Sequence, residues 1–331
     1  MNLTPPIISI GQIVLDTVLH QQANQHSFSE SRQLPRKFTI GGPPAFSLIT
    51  GLRISQLFPW AFPPIVYAYS CQKAIDLLRS ISGVNPLLKN LRIRDTCPEF
   101  RLEYLKNSSE RRIYLRNPPQ LFDPTEFPWK FDIPPTVVIG SVYHEFSSEK
   151  IFSFLRKNTG FIAFDPQGCF RFLTPEGRII LQKWFEPEIL RHVDCLKISE
   201  IEVKHLGKGD NLLQSIQQIL ESSTRIVLLT RGSKGAVLGF RSLDTGNLNF
   251  HSIPAYKNVM VSDETGAGDV FLYSFVAHYV SHHNELDAIA FGSSLSSLLI
   301  ERKGVTGNFG KEIILDRQEY IRRRVKPLSL S

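Results

Sequence analysis

The chain has 331 residues, 42% of them hydrophobic and 21% charged, the balance of a globular protein and not of a disordered or lipid-embedded one. No apolar stretch approaches the roughly 20 residues that cross a bilayer, and Met1-Asn2-Leu3-Thr4-Pro5-Pro6 lacks the basic segment and cleavage site of a secretory signal. A cytoplasmic protein without membrane contact is expected. The net charge of +7 suits anionic ligands, nucleotides and sugar phosphates among them, and would equally suit nucleic acid. The densest basic run, Arg322-Arg323-Arg324-Val325-Lys326, has no interleaved aromatics and reads as a solvated helix end or tail. Cys71, Cys97, Cys169 and Cys195 are widely spaced with no C-x-x-C pair, so reduced, mostly buried thiols are expected.

In chain order, short apolar or β-branched runs alternate with longer amphipathic segments, the pattern of a parallel sheet with crossover helices. Strands are expected at Ile7–Val14, Ile65–Tyr69, Thr136–Ile139, Phe161–Phe164, Cys195–Ile198 and Arg225–Thr230. Helices are expected at Pro44–Ser55, Ser148–Arg156, Arg178–Arg191, Leu212–Ser222, Ala267–Ser281 and Asn284–Arg302. Two segments break the alternation, Leu15–Thr39 and Phe100–Leu115, both strand-like with polar interruptions. The second folds naturally as a hairpin, Phe100–Leu105 against Arg111–Leu115. The stretch 117–135 holds six prolines and reads as an extended connection back to the sheet. The order argues one α/β domain over residues 1–331, a doubly wound three-layer fold.

Several polar residues follow strands, at the edge where open α/β sheets bind ligands. Asp16 follows the first strand. Gly41-Gly42 opens the first helix, leaving room for a ligand to approach the backbone, and Pro43-Pro44 suits the first helical turn. Gly140-Ser141-Val142-Tyr143-His144-Glu145 and Asp165-Pro166-Gln167-Gly168-Cys169-Phe170-Arg171 follow the next two. Gln167 and Arg171 carry planar donors that could bind polyol hydroxyls or a phosphate, and equally could sit on a surface turn. Ser199 and Glu202 have capping-box spacing. Thr230-Arg231-Gly232-Ser233-Lys234-Gly235 is a glycine turn after a strand. His278, His282 and His283 read as surface or interface residues.

The densest signal is Asp263-Glu264-Thr265-Gly266-Ala267-Gly268-Asp269, a glycine-rich turn ahead of an apolar helix. Two glycines let backbone N–H groups converge, and a helix start adds about half a positive charge there. Such a turn binds an anion, most plausibly a phosphate. An acid beside it, here Asp269, can take the proton from an attacking hydroxyl, as phosphoryl transfer to an alcohol requires.

This D-x-x-G-A-G-D pattern resembles the C-terminal signature of the PfkB, or ribokinase-like, carbohydrate kinases. Asp16, the Gly41-Gly42 pair, the hairpin, Glu202 and Thr230-x-Gly232 follow the family's order along the chain. The Gly-Gly-Pro start and the D-x-Q-G-x-x-R segment are similar to its inositol-kinase-like branch. The resemblance implies a ribokinase-like three-layer α/β/α sandwich with a mostly parallel central sheet and a small β lid, built from about 15–39 and 99–117. It implies an ATP- and Mg²⁺-dependent kinase acting on a hydroxyl of a small polyol or sugar, inositol-like first, then a nucleoside or monosaccharide. Asp269 would be the base beside the amides of Gly266, Ala267 and Gly268. Asp16, Gly41, Gly42, Gln167 and Arg171 would bind the acceptor. Thr230, Gly232, Thr265, Gly266 and Gly268 would bind the nucleotide, and Glu202 and Asp263 would hold the metal through water.

The chain departs from the family at Ser199, where Asn is usual, at Glu264, often Thr, and at Pro43-Pro44, near which an Asn is common. The alternative is a catalytically weak or inactive PfkB-like binding protein, associated with nucleic acid through its charge. Asp269 with both glycines argues for catalysis, so nucleic acid is not the expected partner. A monomer, or a homodimer through exposed lid strands, is expected.

Overall fold

A computed structural model describes residues 4–20, 38–104, 111–206, 211–222, 224–302 and 309–329. The chain begins with β1 (Ile7–Gln12), β2 (Val14–His20), β3 (Thr39–Gly41) and α1 (Pro43–Leu57), then β4 (Ile65–Cys71), α2 (Gln72–Arg79) and β5 (Leu91–Arg94). Next come β6 (Glu99–Tyr104), β7 (Arg111–Arg116), β8 (Thr136–Gly140), α3 (Glu149–Asn158), β9 (Phe161–Asp165), β10 (Arg171–Leu173), β11 (Ile179–Leu181) and α4 (Pro187–Leu190). The remainder is β12 (Cys195–Ser199), α5 (Leu212–Ser222), β13 (Ile226–Thr230), β14 (Ala236–Arg241), β15 (Leu248–Ile253), α6 (Ala267–His282), α7 (Glu285–Leu299), α8 (Lys311–Arg322) and β16 (Lys326–Leu328).

Ten strands form one sheet in the order β16-β15-β14-β13-β12-β9-β8-β1-β4-β5. The strands from β13 to β5 run parallel, and β14, β15 and β16 add antiparallel at one edge. Strand alternation divides the sheet's side chains between two apolar layers. Val66, Val138, Ala163, Cys195 and Leu228 face a core shared with α1, α2, α6, α7 and α8. Ile10, Tyr67, Ile139, Phe164, Ile198 and Leu229 face the opposite core, shared with α3, α4 and α5. The chain is therefore a three-layer α/β/α sandwich. Helix α6 is buried without interruption from Val270 to Val280, as expected of a helix that is apolar on all sides.

A second sheet of four strands, β3-β2-β6-β7, stands apart from the first. Its outer pairs are antiparallel and its central pair β2-β6 is parallel. Of the segments expected in a lid, residues 21–37 and the turn at 105–110 lie outside the described residues.

Four local expectations need correction. A helix over Arg178–Arg191 does not form: Ile179–Leu181 pairs with β10 as a strand, and helix begins only at Pro187. The apolar run there fits either period, and Pro187 cannot sit inside a helix but suits its first turn. Cys71 and Cys97 are not two free thiols but a disulfide, because the end of β4 and the approach to β6 bring their Cα atoms to 5.2 Å. Cys169 and Cys195 are free and buried. His278 is not at the surface, since it is only 8% exposed and stacks on His282 against Trp60. Burial first, and His282 second, push its imidazole down to about 4, so it is neutral. The C-terminal basic run is neither a free tail nor only a helix end. Arg322 ends α8 and bonds Asp287 at 2.6 Å, while Lys326 begins β16.

Phe275 lies wholly inside the α6 core. Phe275→Ala should therefore lower the unfolding free energy by about 3–5 kcal/mol, measured by urea denaturation, and a loss below about 1 kcal/mol would contradict this packing.

Candidate active site

The site begins with missing side chains. Register aligns Gly11 of β1 with Gly140 of β8, and Gly140 with Asp165 of β9. The pairing of β9 with β12 continues the row to Lys197. A Cβ on Gly140 would collide with the Pro43 ring, and one on Gly11 would lie 2.8 Å from the Gly140 carbonyl and 3.3 Å from Pro44. The two bare positions thus let Pro43 and Pro44, the first turn of α1, settle onto the sheet. Gly42 caps that helix at φ 91°, where a side chain would strike the Gln12 carbonyl.

Helix α6 starts beside α1. Its N-cap Gly266 is left-handed at φ 78°, and a side chain there would strike the Phe46 ring of α1. The preceding turn is held by Asp263, whose Oδ1 accepts from the Thr265 N–H at 2.9 Å, and by the Glu264 carbonyl, which accepts from Ala267 N–H at 3.2 Å. The Ala267 amide is therefore occupied within the turn. The N–H groups of Gly268 and Asp269 belong to the first helical turn, whose donors have no carbonyl one turn back. No side chain caps the helix. The Thr265 Oγ1 is buried with no hydrogen-bond partner.

Two helix starts, the row of strand ends and the face of the second sheet enclose a cleft of about 240 Å³. Of the residues expected to act, it is lined by Asp16, Gly42, Gln167, Arg171, Thr230, Thr265, Gly266, Gly268 and Asp269. Phe100, Leu102 and Ile113 of the second sheet provide an apolar wall. Gly41 stands behind Asp16, because a side chain on it would fall on the Asp16 carboxylate. Asp16 is itself only 5% exposed. Arg171 donates to the Gln167 Oε1 at 2.7 Å and to the Val142 carbonyl at 3.1 Å, and it lies over the Phe100 ring. Gly168 sits where a side chain would strike Ser141 and Tyr143, so it lets this loop pack against the one after β8. The wholly buried Glu145 closes that neighbouring loop, accepting from the Val142 and Tyr143 N–H groups at 2.7 Å each.

Other expected residues lie outside the lining. Gly232 begins a turn at φ 56° with no atom near its missing Cβ. Glu202 is buried and forms a reciprocal cap with Ser199: its carboxylate accepts the Ser199 N–H at 2.8 Å, and the Ser199 hydroxyl accepts the Glu202 N–H at 3.2 Å. Among the described residues no three His, Cys, Asp or Glu side chains cluster as a metal cage. Glu202 and Asp263 both accept backbone N–H groups, which fits a water-mediated hold on a cation that arrives with phosphates and not a direct site. The uncapped turn of α6, with the unspent Thr265 hydroxyl, fits a phosphate.

The residues the motif reading passed over are Asp165 and Lys197. Asp165 Oδ2 accepts from the Lys197 Nζ at 2.5 Å, and both side chains are almost fully buried. A charged residue inside the apolar strand Cys195–Ser199 was the available signal. Burial disfavours the Lys197 charge, but Asp165, Glu202 and Asp269 together outweigh it and hold the ammonium above its ordinary value. Asp269 is affected oppositely. Burial, aided by Asp165 and Asp16 and opposed by Lys197 and Arg171, pushes its carboxyl up to about 7.

Comparison with known proteins agrees with this architecture. Residues 179–311 match the pfkB family carbohydrate kinases. A ribokinase of Staphylococcus aureus is 32% identical over 123 residues, which are 35% of this chain and 38% of that protein. A nucleoside kinase of Methanocaldococcus jannaschii is 30% identical over 122 residues, 37% of each. The chain thus spans well under half the length of these curated relatives. The fold match is longer. Arabidopsis thaliana ribokinase, solved with ribose and ATP, superposes with a TM-score of 0.70 at 17% identity, covering 96% of this chain and 99% of that one. A pyrophosphate-dependent kinase of the ribokinase family, solved with a pyrophosphate analogue and myo-inositol, gives 0.67 at 17%, covering 90% and 96%. The fold is ribokinase-like. The likeness to the pfkB family lies in residues 179–311 for sequence, and nearly the whole chain shares the fold.

The Asp269 shift has a consequence for stability. With a folded value near 7 and an ordinary one near 3.8, the folded chain keeps a proton between those values that the unfolded chain has lost. Stability therefore falls as pH rises through that window. Asp269→Asn should be more stable than wild type by about 1–3 kcal/mol at about pH 8 and no more stable at about pH 4. Urea denaturation at the two pH values measures this, and an equal difference at both would show an unperturbed carboxyl.

Proposed function

We propose that the protein is a kinase that transfers a phosphoryl group from a nucleotide, ATP first, to a hydroxyl of a small neutral polyol, sugar or nucleoside. The observation that carries this reading is Asp269, poised near pH 7 in the first turn of α6 beside uncapped amides and in one cleft with Asp16. A base tuned to the working pH combines an available lone pair with enough basicity to take a proton. The acceptor would lie between Asp16, Gly42 and the Gln167–Arg171 pair, with its hydroxyl toward Asp269. As that oxygen bonds to the terminal phosphorus of the donor, its proton passes to Asp269. The bond from phosphorus to the bridging oxygen breaks, and the shortened donor leaves with that oxygen's electron pair.

The Gly268 and Asp269 N–H groups would offset charge growing on the transferred phosphoryl oxygens. Thr265 and Thr230 would hold the rest of the donor. Mg²⁺, bound to the donor phosphates, would supply charge neutralisation, with Glu202 and Asp263 ordering its waters. The charged groups that shift Asp269 are two acids and two bases, Asp16, Asp165, Lys197 and Arg171. That balance favours an uncharged acceptor over an anionic one. Closing the apolar wall of Phe100, Leu102 and Ile113 over the acceptor would make the second sheet a lid that keeps water from the phosphoryl group. Support for an inositol-like acceptor comes from the Gln167–Arg171 pair and the likeness to the myo-inositol complex.

Product release is measured over a panel of polyols, sugars and nucleosides, following ADP with ATP as donor and orthophosphate with pyrophosphate. At least one acceptor should turn over, with kcat/KM falling below about pH 7, and Asp269→Asn should lose at least about 10³-fold. No acceptor-dependent product above the Asp269→Asn background would leave a binding protein. Glu264 lies exposed at the cleft mouth, where its carboxylate repels donor phosphates. Glu264→Thr should therefore lower the magnesium concentration needed for half-maximal rate, and an unchanged magnesium dependence rules out that role.

A further inference from the structure

We infer that Lys197, held by Asp165 beneath the first turn of α6, is a donor-binding residue that supplies the fixed positive charge of the anion hole and binds the donor's phosphate through its unspent N–H groups. The inference deepens the kinase reading and rests on it for the identity of the anion.

Lys197 and Asp165 are on the sheet face shared with Cys195 and Ala163, the face that α6 covers. These two neighbours are small, and small residues there let the helix start descend to the strand ends. The descent is close enough that a Cβ on Gly268 would stand 2.7 Å from the Lys197 Nζ and 3.9 Å from the Asp165 Oδ2. The ammonium therefore lies directly against the glycine whose amide opens the hole, and Lys197 and Gly268 line the same cleft.

An ammonium has three N–H donors. Among the described residues Asp165 is the one hydrogen-bond acceptor of Lys197, which leaves two donors unspent on a side chain only 3% exposed. Buried polar groups are nearly always satisfied, and buried charges are costly unless they are. A purely structural ion pair of this kind would be expected to gather further acceptors from the backbone. A ligand with several anionic oxygens, entering the cleft at Gly268, would provide them. Asp165 then has a distinct part: it keeps the ammonium aimed at the hole while the cleft is empty. The glycine at 268 follows from the same arrangement, since any side chain would displace the charge.

The test uses inorganic pyrophosphate as the anion probe, titrated calorimetrically into the full-length protein without acceptor. Lys197→Met should weaken binding at least 10-fold, and Asp165→Asn should leave it equal or tighter. Because Lys197→Met strands the Asp165 charge and can unfold the chain, the double variant Asp165→Asn/Lys197→Gln, a neutral pair of similar shape, should show the same 10-fold loss with a native circular dichroism spectrum. In turnover, the double variant should raise the donor KM while leaving the acceptor KM within 2-fold. Pyrophosphate affinity indifferent to Lys197 in the folded double variant, or no pyrophosphate binding by wild type, overturns the inference whatever the turnover. Lys197-dependent binding in a protein that phosphorylates no acceptor overturns the kinase reading and keeps this one.

Discussion

Side chains at Gly11 and Gly140 would hold the start of α1 away from the sheet, and with it Gly42, Phe46 and the N-cap of α6 that packs on Phe46. The two bare positions, adjacent in register, create a shallow place at the centre of the parallel strands. Pro43 and Pro44 occupy it, rigid at the point where a helix can accept proline. Once α1 is seated, α6 has a wall to start against. The cleft is thus the space left where two helix starts meet the strand ends, and its position follows from steric contacts more than from any polar group.

Electrostatics then acts inside a geometry already set. The strand ends contribute Asp165 and Lys197, the helix contributes Asp269, and Asp16 and Arg171 approach from the segments beside them. Burial alone would drive these charges toward neutrality. Pairing keeps Lys197 charged, while Asp269 is left as the acid on which burial and like charges accumulate. A carboxyl in that state weakens the fold at neutral pH, a cost that functional sites commonly carry. The same crowding of opposite and like charges that destabilises the fold locally is what gives a carboxyl basicity near neutrality.

Much of this was legible in the sequence. The strand-helix alternation marked the parallel sheet, and the glycines of Gly266-Ala267-Gly268 marked a helix start with converging N–H groups, though not its contacts with Phe46 and Lys197. Gly42, Gln167 and Asp269, far apart along the chain, fall in one cleft because each follows a strand or opens a helix at the same edge, and Asp16 joins them from within β2 of the small sheet. Arg178–Arg191 misled because its apolar spacing satisfies two periods, and only pairing with β10 decides between them. Lys197 was missed for the opposite reason. It sits within a clear strand, where a single charged residue in an apolar run signals a buried charge but not its partner, which the register alone identifies as Asp165. The antiparallel edge strands β14 to β16 and the helix α8 have ordinary composition and are fixed by tertiary contact. Pro43 and Pro44 read as helix initiators, but their contacts with Gly140 and Gly11 needed the register.

The Cys71–Cys97 bond joins the end of β4, in the large sheet, to the residue two positions before β6, in the small one. Pro98 between them accepts the Leu15 N–H of β2, so the bond lies at the root of the small sheet's two central strands. If the small sheet moves to admit and enclose substrates, this tether is the fulcrum. Displacement would be least at Phe100, beside it, and grow toward the distal ends of β6 and β7. The part of the wall at Phe100 would then stay in place while the far rim swings, and exchange of substrates would occur around an anchored edge.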